Sequence, residues 1–131
     1  MRFFFDNTLS FRLARALDTL LEADGHRVVA LRDYPFDPRA KDEEWLPVLA
    51  RERDWIVITG DLSKKDKDRH VWIRSGLTVF FLQPAWTGGG HKLTDLSARL
   101  LRYWPRIAET ARTAKAGSCF SVSINGHIKK V

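Results

Sequence analysis

Two stretches decide the fold: Arg2-Phe3-Phe4-Phe5-Asp6-Asn7 and Trp55-Ile56-Val57-Ile58-Thr59-Gly60-Asp61. Each is a short apolar run that ends on a carboxylate. Neither alternates apolar with polar residues, so neither suits a sheet with one wet face; such runs predict strands buried on both sides. Working outward, Leu9, Leu13, Ala16, Leu17, Leu20 and Leu21 recur at helical spacing, with Ser10 or Thr8 placed to cap the start and Gly25 to stop the helix. Residues 27–31 are a second, valine-rich strand, and Pro35 and Pro38 make a loop after it. Asp42, Glu43 and Glu44 suit the first turn of a helix whose apolar face is Trp45, Leu46, Leu49 and Ala50, with Pro47 early enough to be tolerated.

Beyond the second run, residues 64–75 are mostly polar and predict a short or exposed helix stopping at Gly76, and 77–82 predict a fourth strand. A loop over 84–91, a long helix over 94–114 interrupted near Pro105, and an alternating strand over 118–124 before the turn Asn125-Gly126 complete the chain. Strands separated by helices make βαβ units, hence a parallel sheet with right-handed crossovers. At 131 residues the chain has the length of one domain, taken as 1–131.

Composition excludes several classes. With 44% hydrophobic and 29% charged residues the chain is neither disordered nor collagen-like nor a coiled coil. The longest stretch without Asp, Glu, Lys or Arg, residues 75–91, contains Pro84 and the run Gly88-Gly89-Gly90 and cannot span a bilayer. No secretory signal is expected, and the lone Cys119 excludes an internal disulfide framework and fits a reducing, cytoplasmic compartment. Net charge is +6, unevenly spread: residues 1–60 hold 9 Lys/Arg against 11 Asp/Glu, and residues 61–131 hold 13 against 5. A basic half beside a mildly acidic one predicts a polyanionic partner.

Ligands of open parallel sheets bind beyond the carboxyl ends of the strands. Asp6 and Asp61 fall at such ends, and Asp42 starts a helix on the same edge, so three carboxylates converge. Clustered carboxylates repel one another unless a cation neutralises them, and an all-oxygen set points to Mg2+ or Mn2+. Such a centre supports hydrolysis of a phosphodiester by metal-activated water. Asn7 and Thr59 are placed to position Asp6, water or phosphate, and Glu43 is the nearest substitute for Asp42. Each acid also has a plainer role as a cap or turn carboxylate. Lys64, Lys65, Lys67 and Arg69 follow directly and form a basic run suited to RNA phosphates. The run Gly88-Gly89-Gly90-His91-Lys92 lacks the Ser or Thr that follows the lysine of a phosphate loop, and His26, His70, His91 and His127 lack zinc-like spacing. The five tryptophans read as core or interface residues, Trp86 alone having an exposed alternative in its Pro/Gly loop.

Taken in order, Phe3-Phe4-Phe5-Asp6-Asn7-Thr8-Leu9-Ser10, Gly25-His26, Asp42-Glu43-Glu44-Trp45 and Ile58-Thr59-Gly60-Asp61 resemble the PIN-like domain proteins, which include toxins of VapBC-type toxin-antitoxin pairs. The resemblance covers about residues 1–82 well and the remainder loosely. It implies a three-layer α/β fold with a short parallel central sheet and helices on both faces, a divalent-metal site, RNA cleavage, and inhibition by a cognate antitoxin. Asp6 and Asp61 match the family's strand-end acids and Asp42 its helix acid; a fourth acid has no clear match, with Asp66 and Asp68 as candidates. A second copy of the chain is a further candidate partner, and a membrane is not. Two other readings stay open: a receiver-like signalling domain, which needs an acidic pair where Asp6-Asn7 stands, and a non-catalytic module that binds nucleic acid or protein.

Overall fold

The computed structural model describes residues 1–37, 39–60, 69–88 and 92–131, and of Arg69 and His70 the backbone alone. In chain order the elements are β1 (Arg2–Phe5), α1 (Phe11–Leu21), β2 (Arg27–Ala30), α2 (Asp42–Glu52), β3 (Trp55–Thr59), α3 (Arg69–Arg74), β4 (Thr78–Leu82), α4 (Leu93–Thr113), β5 (Cys119–Val122) and β6 (Ile128–Lys130). They build one six-stranded sheet in the order β2-β1-β3-β4-β5-β6, parallel except for β6.

Period-two alternation in the apolar runs sorts their side chains into two cores, one on each face of the sheet. Phe3 and Phe5 of β1, Ile56 and Ile58 of β3, and Phe80 and Leu82 of β4 pack with Leu13 and Leu17 of α1 and Leu100, Trp104 and Ile107 of α4. Phe4, Trp55, Val57, Val79 and Phe81 pack on the other face with Trp45, Leu46 and Leu49 of α2 and Trp72 of α3. The result is a three-layer α/β fold with helices on both sides of a mostly parallel sheet, as a PIN-like domain has. The uninterrupted apolar strands are thereby explained: both faces of each are buried, and β3 and β4 have no exposed residue.

Two details, the course of α4 and the end of β2, depart from the sequence reading. Helix α4 runs through Pro105 without a break. Proline there removes the amide that would reach the carbonyl of Leu101, but buried Leu96, Leu100, Trp104 and Ile107 hold the flanking turns on one apolar stripe. Trp86 takes the core position expected of the tryptophans, fully buried in a short 3-10 turn, where its indole N–H donates to the carbonyl of Val122 at 3.1 Å. Strand β2 stops at Ala30, and Leu31 enters a 3-10 turn with its side chain in the core. The Asn125-Gly126 signal does close a hairpin, between β5 and β6. Gly126 has φ +81° there, and a Cβ on it would lie 2.4 Å from Cδ1 of Tyr103.

Candidate active site

The sheet order places the site. From β1 the chain moves outward to β2 and then returns past β1 to β3, so neighbouring strands β1 and β3 feed helices on opposite faces. A crevice opens beyond the carboxyl ends of two such strands. Register pairs Phe5 with Ile58, so Asp6 and Thr59 come next to each other at that crevice. Alternation turns both toward the α2 layer, since Asp6 shares its side with Phe4 and Thr59 with Val57 and Trp55.

Asp6 is a buried carboxylate, 2% exposed, held by hydroxyl and amide donors. Thr59, itself fully buried, donates its hydroxyl proton to Oδ2 at 2.6 Å. Thr8 donates its hydroxyl to Oδ1, and its backbone N–H reaches the same oxygen at 3.1 Å, an Asx turn that lets the chain leave the strand. The Thr8 hydroxyl in turn accepts from the N–H of Gly60 at 2.7 Å. The two threonine oxygens stand 3.3 Å apart, and both of their protons point to the carboxylate. Strand ends β1 and β3 are therefore cross-linked through one acid. Gly60 is closely enclosed: a Cβ there would lie 3.0 Å from Thr87 Cγ2 and 3.4 Å from Thr8 Oγ1.

Helix α2 brings the second acid. Trp45 lies against Phe4 with ring centroids 5.0 Å apart, which fixes the first turn of α2 over the end of β1. Asp42 lies three residues earlier, on the same face of the helix, and is half-buried. Lys41 opens the helix, donating its N–H to Glu44 Oε2 at 3.3 Å. The outcome is a cleft of about 500 Å³ whose wall includes Asp6, Asn7, Thr8, Lys41, Asp42 and Glu43.

Of the acids expected to converge, Asp6 and Asp42 thus share one cleft with Glu43 and Asn7, and Thr59 supports Asp6 from below. Asp61, Asp66, Asp68, Lys64, Lys65 and Lys67 lie outside the described residues, and Arg69 opens α3. Most of the Gly88-to-Lys92 run lies outside them as well. Among the described residues no three His, Cys, Asp or Glu side chains stand close enough to enclose a metal ion. The donors around the cleft are nonetheless carboxylate, hydroxyl and amide oxygens, a hard set suited to a cation such as Mg2+ that keeps several of its waters and takes one or two carboxylates. Sequence reasoning missed Thr8 in this role, having offered it only as a helix cap. Ser10 takes that position instead, its hydroxyl accepting from the N–H of Arg12 at 3.2 Å. The missed signal was local, an Asp at a strand end with a hydroxyl residue two positions later.

No curated protein and no solved structure matches the chain. A family model described as a PIN like domain matches residues 1–84, which take in β1 to β4 and every described residue of the cleft. With the strand-end acid, the helix acid and four of the parallel strands with helices on both faces inside that span, the chain belongs to the PIN-like domain family.

Proposed function

We propose that this chain is a metal-dependent endoribonuclease acting as the toxin of a toxin-antitoxin pair. PIN-like domains are commonly nucleases, and the observation that carries the reading here is Asp6: buried, held on both oxygens by threonine hydroxyls, and facing a cleft shared with Asp42 and Glu43. A buried acid so oriented costs stability to maintain, and such groups concentrate at functional sites.

Asp6 and Asp42 are the residues that would hold Mg2+ or Mn2+, with Glu43 beside them and Asp61 as a further ligand. When bound, the cation supplies charge neutralisation and activation of water for attack on phosphorus. The chain's own contribution is positional. Thr8 and Thr59 fix the orientation of the Asp6 carboxylate, and the Asn7 amide and Lys41 ammonium at the cleft wall suit phosphate oxygens. Lys64, Lys65, Lys67 and Arg69 extend the basic surface for RNA in this reading, and an acidic antitoxin segment would compete with RNA for it.

Asp6→Asn is the test. The amide keeps the shape, and its N–H can donate to a threonine hydroxyl that rotates to receive it, so the circular dichroism spectrum should stay folded. Divalent-dependent cleavage of RNA should fall at least a hundredfold, on the order of the loss that follows removal of a charge-stabilising group; undiminished cleavage sinks the proposal. The competing reading is a module that binds RNA without cutting it. That reading predicts binding with no metal-dependent product from the wild-type chain.

A further inference from the structure

Beside the acidic cleft lies a concentration of positive charge that the charge profile of the sequence hides. Phe11, the first residue of α1, is half-buried, and three guanidinium groups gather on its ring: Arg32 at 4.3 Å from the centroid, Arg15 at 4.7 Å and Arg12 at 4.8 Å. The π face holds these cations together at close range. One of them is neutralised, since Arg15 grips Asp33 through a two-point fork at 2.9 and 2.7 Å. Arg12 and Arg32 make no ion pair among the described residues, although Asp33 also acts on Arg32 through its charge. Among the described residues the cluster sets three guanidinium charges against one carboxylate, in the half of the chain whose overall balance is acidic.

Position gives this cluster its meaning. A second cleft, of about 330 Å³, is lined by Asn7, Thr8, Ser10, Phe11, Ala30 and Arg32 among others. It shares Asn7 and Thr8 with the acidic cleft, so the two are separated only by the turn that orients Asp6. We propose that Arg12 and Arg32, arranged on the Phe11 ring, bind the backbone phosphate that flanks the one placed at Asp6, and so set the direction in which a single RNA strand crosses the site. Arginine suits this role: the planar guanidinium stacks on an aromatic ring and still presents two parallel donors to a phosphate. The proposal rests on the nuclease reading only for the placement of the neighbouring phosphate; the basic cleft itself is independent of it.

The experiment is fluorescence anisotropy with a labelled single-stranded RNA oligonucleotide and the full chain in EDTA, across a salt series, so that binding is read without cleavage. Arg12→Ala and Arg32→Ala should each weaken binding about tenfold. Arg12→Ala/Arg32→Ala together should also flatten the slope of log K against log salt by about 0.7, the loss of one single-strand phosphate contact. Lys129→Ala/Lys130→Ala, on the β6 edge, is the charge-matched control and should leave both values near wild type. Arg12→Lys/Arg32→Lys should retain the slope while losing affinity, because charge remains and the fork does not; thermal melts verify that every variant is folded. Wild-type affinity in the Arg12→Ala/Arg32→Ala protein, or an equal loss in the lysine control, overturns the assignment. If Asp6→Asn abolishes cleavage while the arginine variants bind normally, the subsite alone fails. If the arginine variants lose binding and the wild type never cleaves, the nuclease reading alone fails.

Discussion

At the scale of single residues, the energetics of the site centre on one carboxylate and its donors. Taking Asp6 out of water is tolerable because Thr8 and Thr59 replace the lost hydrogen bonds. Thr59→Val has nearly the same volume but no O–H, so the carboxylate loses a donor in a place that water does not readily reach. Urea unfolding should report a loss of about 1–3 kcal/mol, and Thr59→Ser, which keeps the hydroxyl, should recover most of it. An unchanged midpoint in Thr59→Val would mean that another donor replaces the hydroxyl. Gly60 is constrained from a different direction: its N–H serves Thr8 and its missing side chain leaves room for Thr87.

At the scale of elements, the join between α1 and β2 depends on Asp18. Its Oδ1 accepts from Arg27 Nε at 2.9 Å and from the Val28 N–H at 2.8 Å, and its Oδ2 from Arg27 Nη2 at 3.2 Å. The Arg27 hydrogen bonds, and after them the Val28 N–H, hold this carboxyl below its ordinary value against the opposing effect of burial. A carboxyl with a lowered folded pKa contributes stability in full above its unfolded value of about 3.9 and loses it as the pH falls through the folded value. Thermal melts between pH 6 and pH 2.5 should therefore show a smaller acid-induced decline in Asp18→Asn than in wild type. Equal declines would assign the acid sensitivity to other groups. Pro105 offers a second test at this scale, because it is exposed and inside α4. Pro105→Ala restores an amide facing the Leu101 carbonyl and should raise stability by about 1–3 kcal/mol in denaturant unfolding. A drop instead would show that the helix needs the proline's shape to fit the sheet.

At the scale of the whole molecule, acidic and basic surfaces meet at one edge of the sheet. Asp6, Asp42 and Glu43 line one cleft, Arg32 lines its neighbour with Arg12 beside it on the Phe11 ring, and the second half of the chain is strongly basic. A cation at the acids would complete a surface that accepts phosphate throughout. With a dissociation constant of about 1 mM and about 10 mM free Mg2+, binding to the folded state alone adds roughly 1.4 kcal/mol, or a few degrees in Tm. Wild type should melt higher in magnesium than in chelator, and Asp6→Asn should show little difference between the two. Equal melting of wild type in both buffers, with Asp6→Asn clearly less stable, would make Asp6 a structural anchor and remove the metal from the reading. Among the described residues no helix is long and apolar enough to cross a membrane, in keeping with a surface built around charge.

The sequence by itself determined the layers. Three phenylalanines in a row, and Trp55-Ile56-Val57-Ile58 later, have no polar face to offer water, so only strands covered on both sides satisfy them. Helical spacing located α1, α2 and α4, and βαβ order put Asp6 at the edge where ligands bind. What local pattern could not reach was anything that depends on residues distant in the chain. Pro105 looked like a break because propensity is local, whereas the buried stripe that keeps α4 continuous exists only against the sheet. Trp86 read as a core residue, but that the carbonyl taking its N–H belongs to β5 was not visible locally. The support of Asp6 by Thr59 needs the β1–β3 register, and the Arg12–Arg32 cluster needs a helix start and a strand end folded together. Burial patterns are written along the chain, but a functional cleft is a set of long-range contacts, and only tertiary structure brings those atoms within reach.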